Sequence, residues 1–210
     1  MPKRFGRPFM KWMRKPGRPS SARRAAMAWV IGALAMGCGA SVEALDARDP
    51  TLPVETRSWI AGAEDGVIVA RAELDMAKGE RRRVARWAAR VEESLEGALD
   101  GALEALVEAR TREAELAVEE AEVGLELALA KQELVYAESA VRHDRASYDL
   151  GPLREGVDAL RERAREAGRA TSRAEMESQT AANAFWEAYG RYAAGGGDTT
   201  EFWVAGVLPE

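Results

Sequence analysis

Cys38 is the one thiol in this 210-residue chain, and its surroundings decide what chemistry it can do. Residues 1–24 hold nine Lys or Arg and no acid; residues 25–36 read Ala-Ala-Met-Ala-Trp-Val-Ile-Gly-Ala-Leu-Ala-Met, and Gly37 precedes the cysteine. A basic segment, an apolar run of about 7–15 residues and small residues at a cut site define an export signal. The run falls short of the about 20 residues that a spanning helix needs, so it predicts a removable leader, not a transmembrane anchor. The other reactive types offer less. His143 is the only histidine and sits beside Asp144 near a helix end. One imidazole without a thiol makes a metal site only where several carboxylates converge, so His143 predicts a solvated residue. Gly195-Gly196-Gly197 has no lysine after it and opens no helix, so it is no phosphate cradle. No nucleophile elbow surrounds His143, and the expectation is a chain with no catalytic residue, no metal and no cofactor.

The stretch Leu34-Ala35-Met36-Gly37-Cys38 resembles the lipobox of bacterial lipoproteins. That resemblance implies a signal peptide over residues 1–37, cut between Gly37 and Cys38. It also implies a Cys38 that carries acyl chains, palmitate among them, as the new N-terminus in the lipid bilayer. Gly39, where an aspartate tends to retain such proteins at the inner membrane, implies the outer membrane with the chain facing the periplasm.

Loss of the leader leaves 21 basic against 35 acidic residues, net −14. Nucleic acid is excluded as a partner, because its binding needs a basic face for counterion release. With no cysteine beyond Cys38, disulfides cannot staple the mature part, and its stability must come from side-chain burial.

Those features must be held by helices. Residues 38–53, with Pro50 and Pro53 around Thr51, read as a lipidated tether that ends in a threonine N-cap. From Val54 to Asp149 there is no proline, and Ala, Glu, Leu and Arg dominate. Apolar residues step by four and three at Val84, Ala88, Val91, Leu95, Ala98, Ala102, Leu106 and Ala109, and again from Leu116 to Tyr148. The run after Gly151-Pro152 is unbroken: Leu153, Val157, Leu160, Ala164, Ala167, Thr171, Ala174, Ser178, Ala181, Phe185, Ala188, Tyr192. A 3.5-residue repeat is the seam of a coiled coil. The fold class expected is all-α: a long antiparallel helical hairpin within residues 54–193, reversing at Leu150-Gly151-Pro152. Facing residues would then have numbers summing to about 301, so that Val141 meets Leu160 and Leu116 meets Phe185, large against small in most layers. Residues 54–107 either extend an arm or fold back as a third helix, fold-back near Gly101 being favoured; Lys78-Gly79 is a second expected break. Alanine-rich seams leave open a hairpin, a dimer or a higher homo-oligomer.

Residues 194–210 read as a flexible glycine-rich break and an apolar tail. The tail either docks on its own helices or offers Phe202 and Trp203 to a protein partner, since aromatics carry much of the energy of interfaces. Glu115, Glu119, Glu122 and Glu126 line one helical strip that the cluster Arg81, Arg82, Arg83, Arg86 and Arg90 is expected to meet; Trp59 and Trp87 read as core plugs. Tyr148-Asp149-Leu150-Gly151, followed by Asp158-Ala159-Leu160, resembles the helix-turn-helix texture of periplasmic segments in TolC-like outer-membrane efflux proteins. That resemblance implies a contact tip at Leu150 and Leu153. The expected function is a membrane-anchored coiled-coil scaffold or protein-interaction module of the cell envelope, its protein partner unknown. The alternatives are an adaptor in an efflux or secretion assembly and a periplasmic holdase-type chaperone.

Overall fold

The computed structural model describes residues 47–94, 99, 101–147, 149–200 and 202, and no strand occurs among them. Three long helices make the fold: α1 (Val54–Ser94), α2 (Ala102–Arg142) and α3 (Leu150–Ala194). At 1.5 Å per residue, α1 and α2, of 41 residues each, run about 60 Å. They are antiparallel in sequence, and α2 packs along both neighbours while α1 and α3 meet only marginally. The segment ahead of Gly101 therefore does fold back as a third helix, Val54–Ser94, while residues 102–107 open α2. The reversal falls between Ser94 and Ala102, where Gly101 takes φ 83° and Leu99 takes φ 54°.

Seam burial explains why α1 stays whole. Thr56, Ile60, Val67, Ala70, Leu74 and Val91 are its buried residues, on the same three-and-four rhythm. Gly62, Gly66 and Gly79 lie within the helix, which continues through Lys78-Gly79 where a break was expected. Each such glycine costs about 1 kcal/mol against alanine. A buried aliphatic side chain contributes about 1.5–3 kcal/mol, and the seam supplies these on both sides of the glycines.

The α3 seam is inward at every position from Leu153 to Tyr192 named above. Its register against α2 differs from expectation. Glu138 pairs with Arg154 at 2.9 Å, Glu126 with Arg163 at 3.0 Å, and Arg112 with Glu177 at 3.7 Å. Facing numbers thus sum to about 290, not about 301. Phe185 lies among Leu103 and Leu106, not against Leu116. The offset of about 11 residues is close to three helical turns, which is why the same α3 face still points inward.

The cause is where α2 stops. It ends at Arg142, and the reversal occupies residues 143–149, ahead of the expected hinge at Leu150. Asp144 takes the left-handed conformation at φ 53°. Its N–H donates to the Val141 carbonyl at 3.2 Å, and the Arg145 N–H donates to the Ala140 carbonyl at 3.0 Å. That pair of bonds is a Schellman motif, which closes a helix and turns the chain away. Asp149 then caps α3, its carboxylate accepting from the Gly151 N–H at 3.0 Å, with Pro152 in the first turn.

Candidate functional site

Cys38, Gly37 and Trp203 lie outside the described residues. What the structure gives instead is the end of the bundle that residues 47–53 join. Residues 47–53 are not a free tether. Leu52 is 3% exposed and packs with Ile60 and Ala140, flanked by Ala47, Tyr136 and Ala146. Asp49 forms a clasp beside it. Its carboxylate accepts from the Thr51 N–H at 2.8 Å and the Thr51 hydroxyl at 2.6 Å, and from Arg145 at 2.9 Å. Arg145 also donates to the Thr51 hydroxyl at 2.6 Å. The Thr51 hydroxyl and N–H, then Arg145, hold the Asp49 carboxyl down at about 2, against an ordinary 3.8. Thr51 is therefore engaged by Asp49 and Arg145 and does not cap α1.

His143 completes this end. Its Nε2 lies 3.0 Å from the hydroxyl of the buried Thr56, joining the end of α2 to the start of α1. It is half-buried and structural, not merely solvated. Nothing in the sequence around His143 signalled this link; for the clasp, the Asp-Pro-Thr spacing at 49–51 was the available sign. Leu150 and Leu153 are half-buried at the same end. The expected contact tip and the arriving N-terminal segment thus share one end of the helices.

At the other end sits an aromatic core. Phe202 is 1% exposed, with its ring 5.3 Å from Tyr189, 5.9 Å from Tyr192 and 6.3 Å from Phe185. Val91, Leu103, Leu106 and Ala182 complete the cluster. This corrects the partner-contact expectation for Phe202: its ring is spent on its own bundle. The glycines before it are no loose break. Gly196, at φ 83°, donates to the Ala193 carbonyl, and Gly197 donates to that of Tyr192, a second Schellman motif. A Cβ on Gly197 would come within 2.4 Å of the Tyr192 ring.

The charged strips are also arranged differently from expectation. Glu122 faces Lys78 at 3.8 Å and Glu126 faces Arg163, so one acidic strip is shared between both neighbours of α2. Among the described residues, none of Arg81, Arg82, Arg83, Arg86 and Arg90 pairs with it. Arg83 pairs with Glu80 on its own helix, and the five stay exposed. Trp59 is not a core plug: it is 47% exposed under the Arg142 guanidinium, 4.5 Å from its ring centre. Trp87 does pack on the aromatic core, with Arg110 at 5.6 Å.

No metal-competent group of His, Cys, Asp or Glu, and no helix long and apolar enough to cross a membrane, occurs among the described residues. Among the described residues, one groove lies where α1, α2 and α3 approach. It holds about 330 Å³ and is lined by Glu80, Arg110, Glu113, Glu175 and Ser178 among others. Its charges are mixed, three carboxylates and one guanidinium among its lining side chains. No family model, no curated protein and no solved structure matches this chain.

Proposed function

We propose that this chain is a lipid-anchored helical spacer of the bacterial envelope, acting through surface contact and not through turnover. The observation that carries it is the leader ending at Gly37-Cys38, set nine residues ahead of a segment packed into one end of the helices. Nine residues span about 30 Å at most. An acylated Cys38 would therefore keep the clasp end of the bundle near the bilayer, with the aromatic end about 60 Å further along the helices. On this reading the turn at Leu150 and Leu153 faces the anchored side, which weighs against a channel adaptor that docks through that tip. The acidic balance of the mature part keeps the helices off anionic lipid surfaces. Stable anchoring takes more hydrocarbon than one chain provides, which the lipoprotein resemblance supplies.

The test is expression of the full chain in a bacterial host, with and without globomycin, beside Cys38→Ala. Maturation should remove 37 residues, add acyl mass to Cys38 and leave the product in the membrane fraction. Both the inhibitor and the substitution should block all three. A product that keeps its leader, or a soluble one with a bare thiol, would overturn the reading.

A further inference from the structure

We infer that the groove lined by Arg110, Glu113 and Ser178 binds an elongated zwitterion of the lysine class, with a carboxylate at one end and an ammonium at the other. Its volume of about 330 Å³ falls within the about 300–1,000 Å³ of small-molecule sites. Ala114 and Ala182 are buried and Val84 is half-buried, which gives it an apolar floor. Ser178 is 6% exposed, and its hydroxyl has no hydrogen-bond partner among the described residues. A hydroxyl that deep is costly to leave unmatched, and the groove it lines is where a partner can enter.

The charges of the groove do not cancel within the protein. Arg110 and Glu113 lie one turn apart on α2, yet no ion pair joins them, and neither Glu113 nor Glu175 has a cationic partner among the described residues. Glu80 pairs with Arg83 on its own helix. Arg110 rests over the Trp87 ring, a contact that leaves its N–H donors free. Gln179 donates to Asn183 at 3.1 Å, which leaves its own amide oxygen to accept. The groove thus offers one guanidinium, two unpaired carboxylates and two neutral acceptors.

Their order along the helices selects the ligand. Facing numbers near 290 across α2 and α3 set Gln179 and Ser178 level with about positions 111 and 112 of α2, and Glu175 with about 115. Arg110 therefore marks one end, the amide and hydroxyl come next, and Glu113 with Glu175 mark the other. The ends are separated by about 7.5 Å of helix, close to the reach of lysine's four-carbon stem. An α-carboxylate meets Arg110 as a bidentate pair, the α-nitrogen donates to Ser178 and Gln179, and the side-chain ammonium meets Glu113 and Glu175. A pure dication would set an ammonium against Arg110, and an anion would face two carboxylates. Free lysine and a peptide's C-terminal lysine share this carboxylate–alkyl–ammonium chemistry.

The experiment titrates the full-length chain in mild detergent by calorimetry with L-lysine, the dipeptide Ala-Lys, norleucine and cadaverine. Lysine or the dipeptide should bind, and the tighter of the two identifies the source. Norleucine lacks the side-chain ammonium and cadaverine the carboxylate, so each should bind about tenfold more weakly or worse. Arg110→Gln should abolish the preference over cadaverine, and Glu175→Gln should abolish much of the preference over norleucine. Both side chains are exposed, so helical circular dichroism should be unchanged in either variant. No binding of lysine or the dipeptide below about 10 mM overturns the inference. So do equal affinities for lysine, norleucine and cadaverine, and so does a lysine affinity indifferent to both substitutions. Lipidation does not enter this measurement, so the anchoring proposal stands or falls separately.

Discussion

The ring of Phe202 stands edge-on to that of Tyr189, 5.3 Å between centres, and so closes the core at one end of the three helices. A residue that would look like an offered hook is instead the plug over Val91, Leu103, Leu106 and Phe185. Phe202→Ala should cost about 3–5 kcal/mol, the usual loss for a buried phenylalanine. Urea unfolding followed by helical circular dichroism would measure it. A change below about 1 kcal/mol would mean that the ring is not committed to this core.

The two Schellman turns differ in one respect: Gly196 occupies the left-handed position of one and Asp144 that of the other. Glycine takes that conformation without the Cβ clash that a side chain meets. Asp144→Gly should therefore stabilise the fold by about 0.5–1 kcal/mol, whereas Gly196→Ala should destabilise it by about 1–2 kcal/mol. Opposite signs in paired unfolding experiments are the expected outcome; equal signs would contradict the helix ends described above.

The clasp predicts a local acid sensitivity. The folded-state value for Asp49, about 2, lies below its ordinary 3.8. The stabilisation it gives is therefore full above about pH 4 and fades as pH falls through about 2. Asp49→Asn should loosen residues 47–53 at neutral pH, and the difference from wild type should vanish towards pH 2. Amide hydrogen exchange at Leu52 reads this out. A difference that is constant across that range would show that Asp49 does not titrate with the clasp.

Ser139 is buried, and its hydroxyl finds no hydrogen-bond partner among the described residues. An unsatisfied buried hydroxyl costs about 1–3 kcal/mol of desolvation, and alanine fills nearly the same space without it. Ser139→Ala should leave stability unchanged or raise it by up to about 1 kcal/mol, measured by thermal unfolding. A loss of more than that would point to a partner supplied from outside the described residues.

Much of this architecture was legible in the chain itself. Three-and-four spacing marked the helices, and every residue of the unbroken run from Leu153 to Tyr192 is inward on α3, because a helix has one period and a buried face must follow it. Asp100-Gly101 marked the fold-back. Glycine count alone misled at Lys78-Gly79, where the seam on either side outweighs one poor helix former. At the candidate surfaces, residue type left Phe202 open between docking on its own helices and meeting a partner, and the structure docks it; burial was expected for Trp59, and that was reversed.

The sequence by itself determined the helical class, the inward faces and the basic-apolar-cysteine order of residues 1–38, all of which depend on neighbours along the chain. The tertiary structure decided the α2–α3 register, the sandwiching of α2, the clasp around Asp49 and the burial of Phe202. The physical reason is that helical faces repeat every three turns. Two registers about 11 residues apart bury the same stripes, and only the turn at residues 143–149, with its left-handed Asp144, chooses between them.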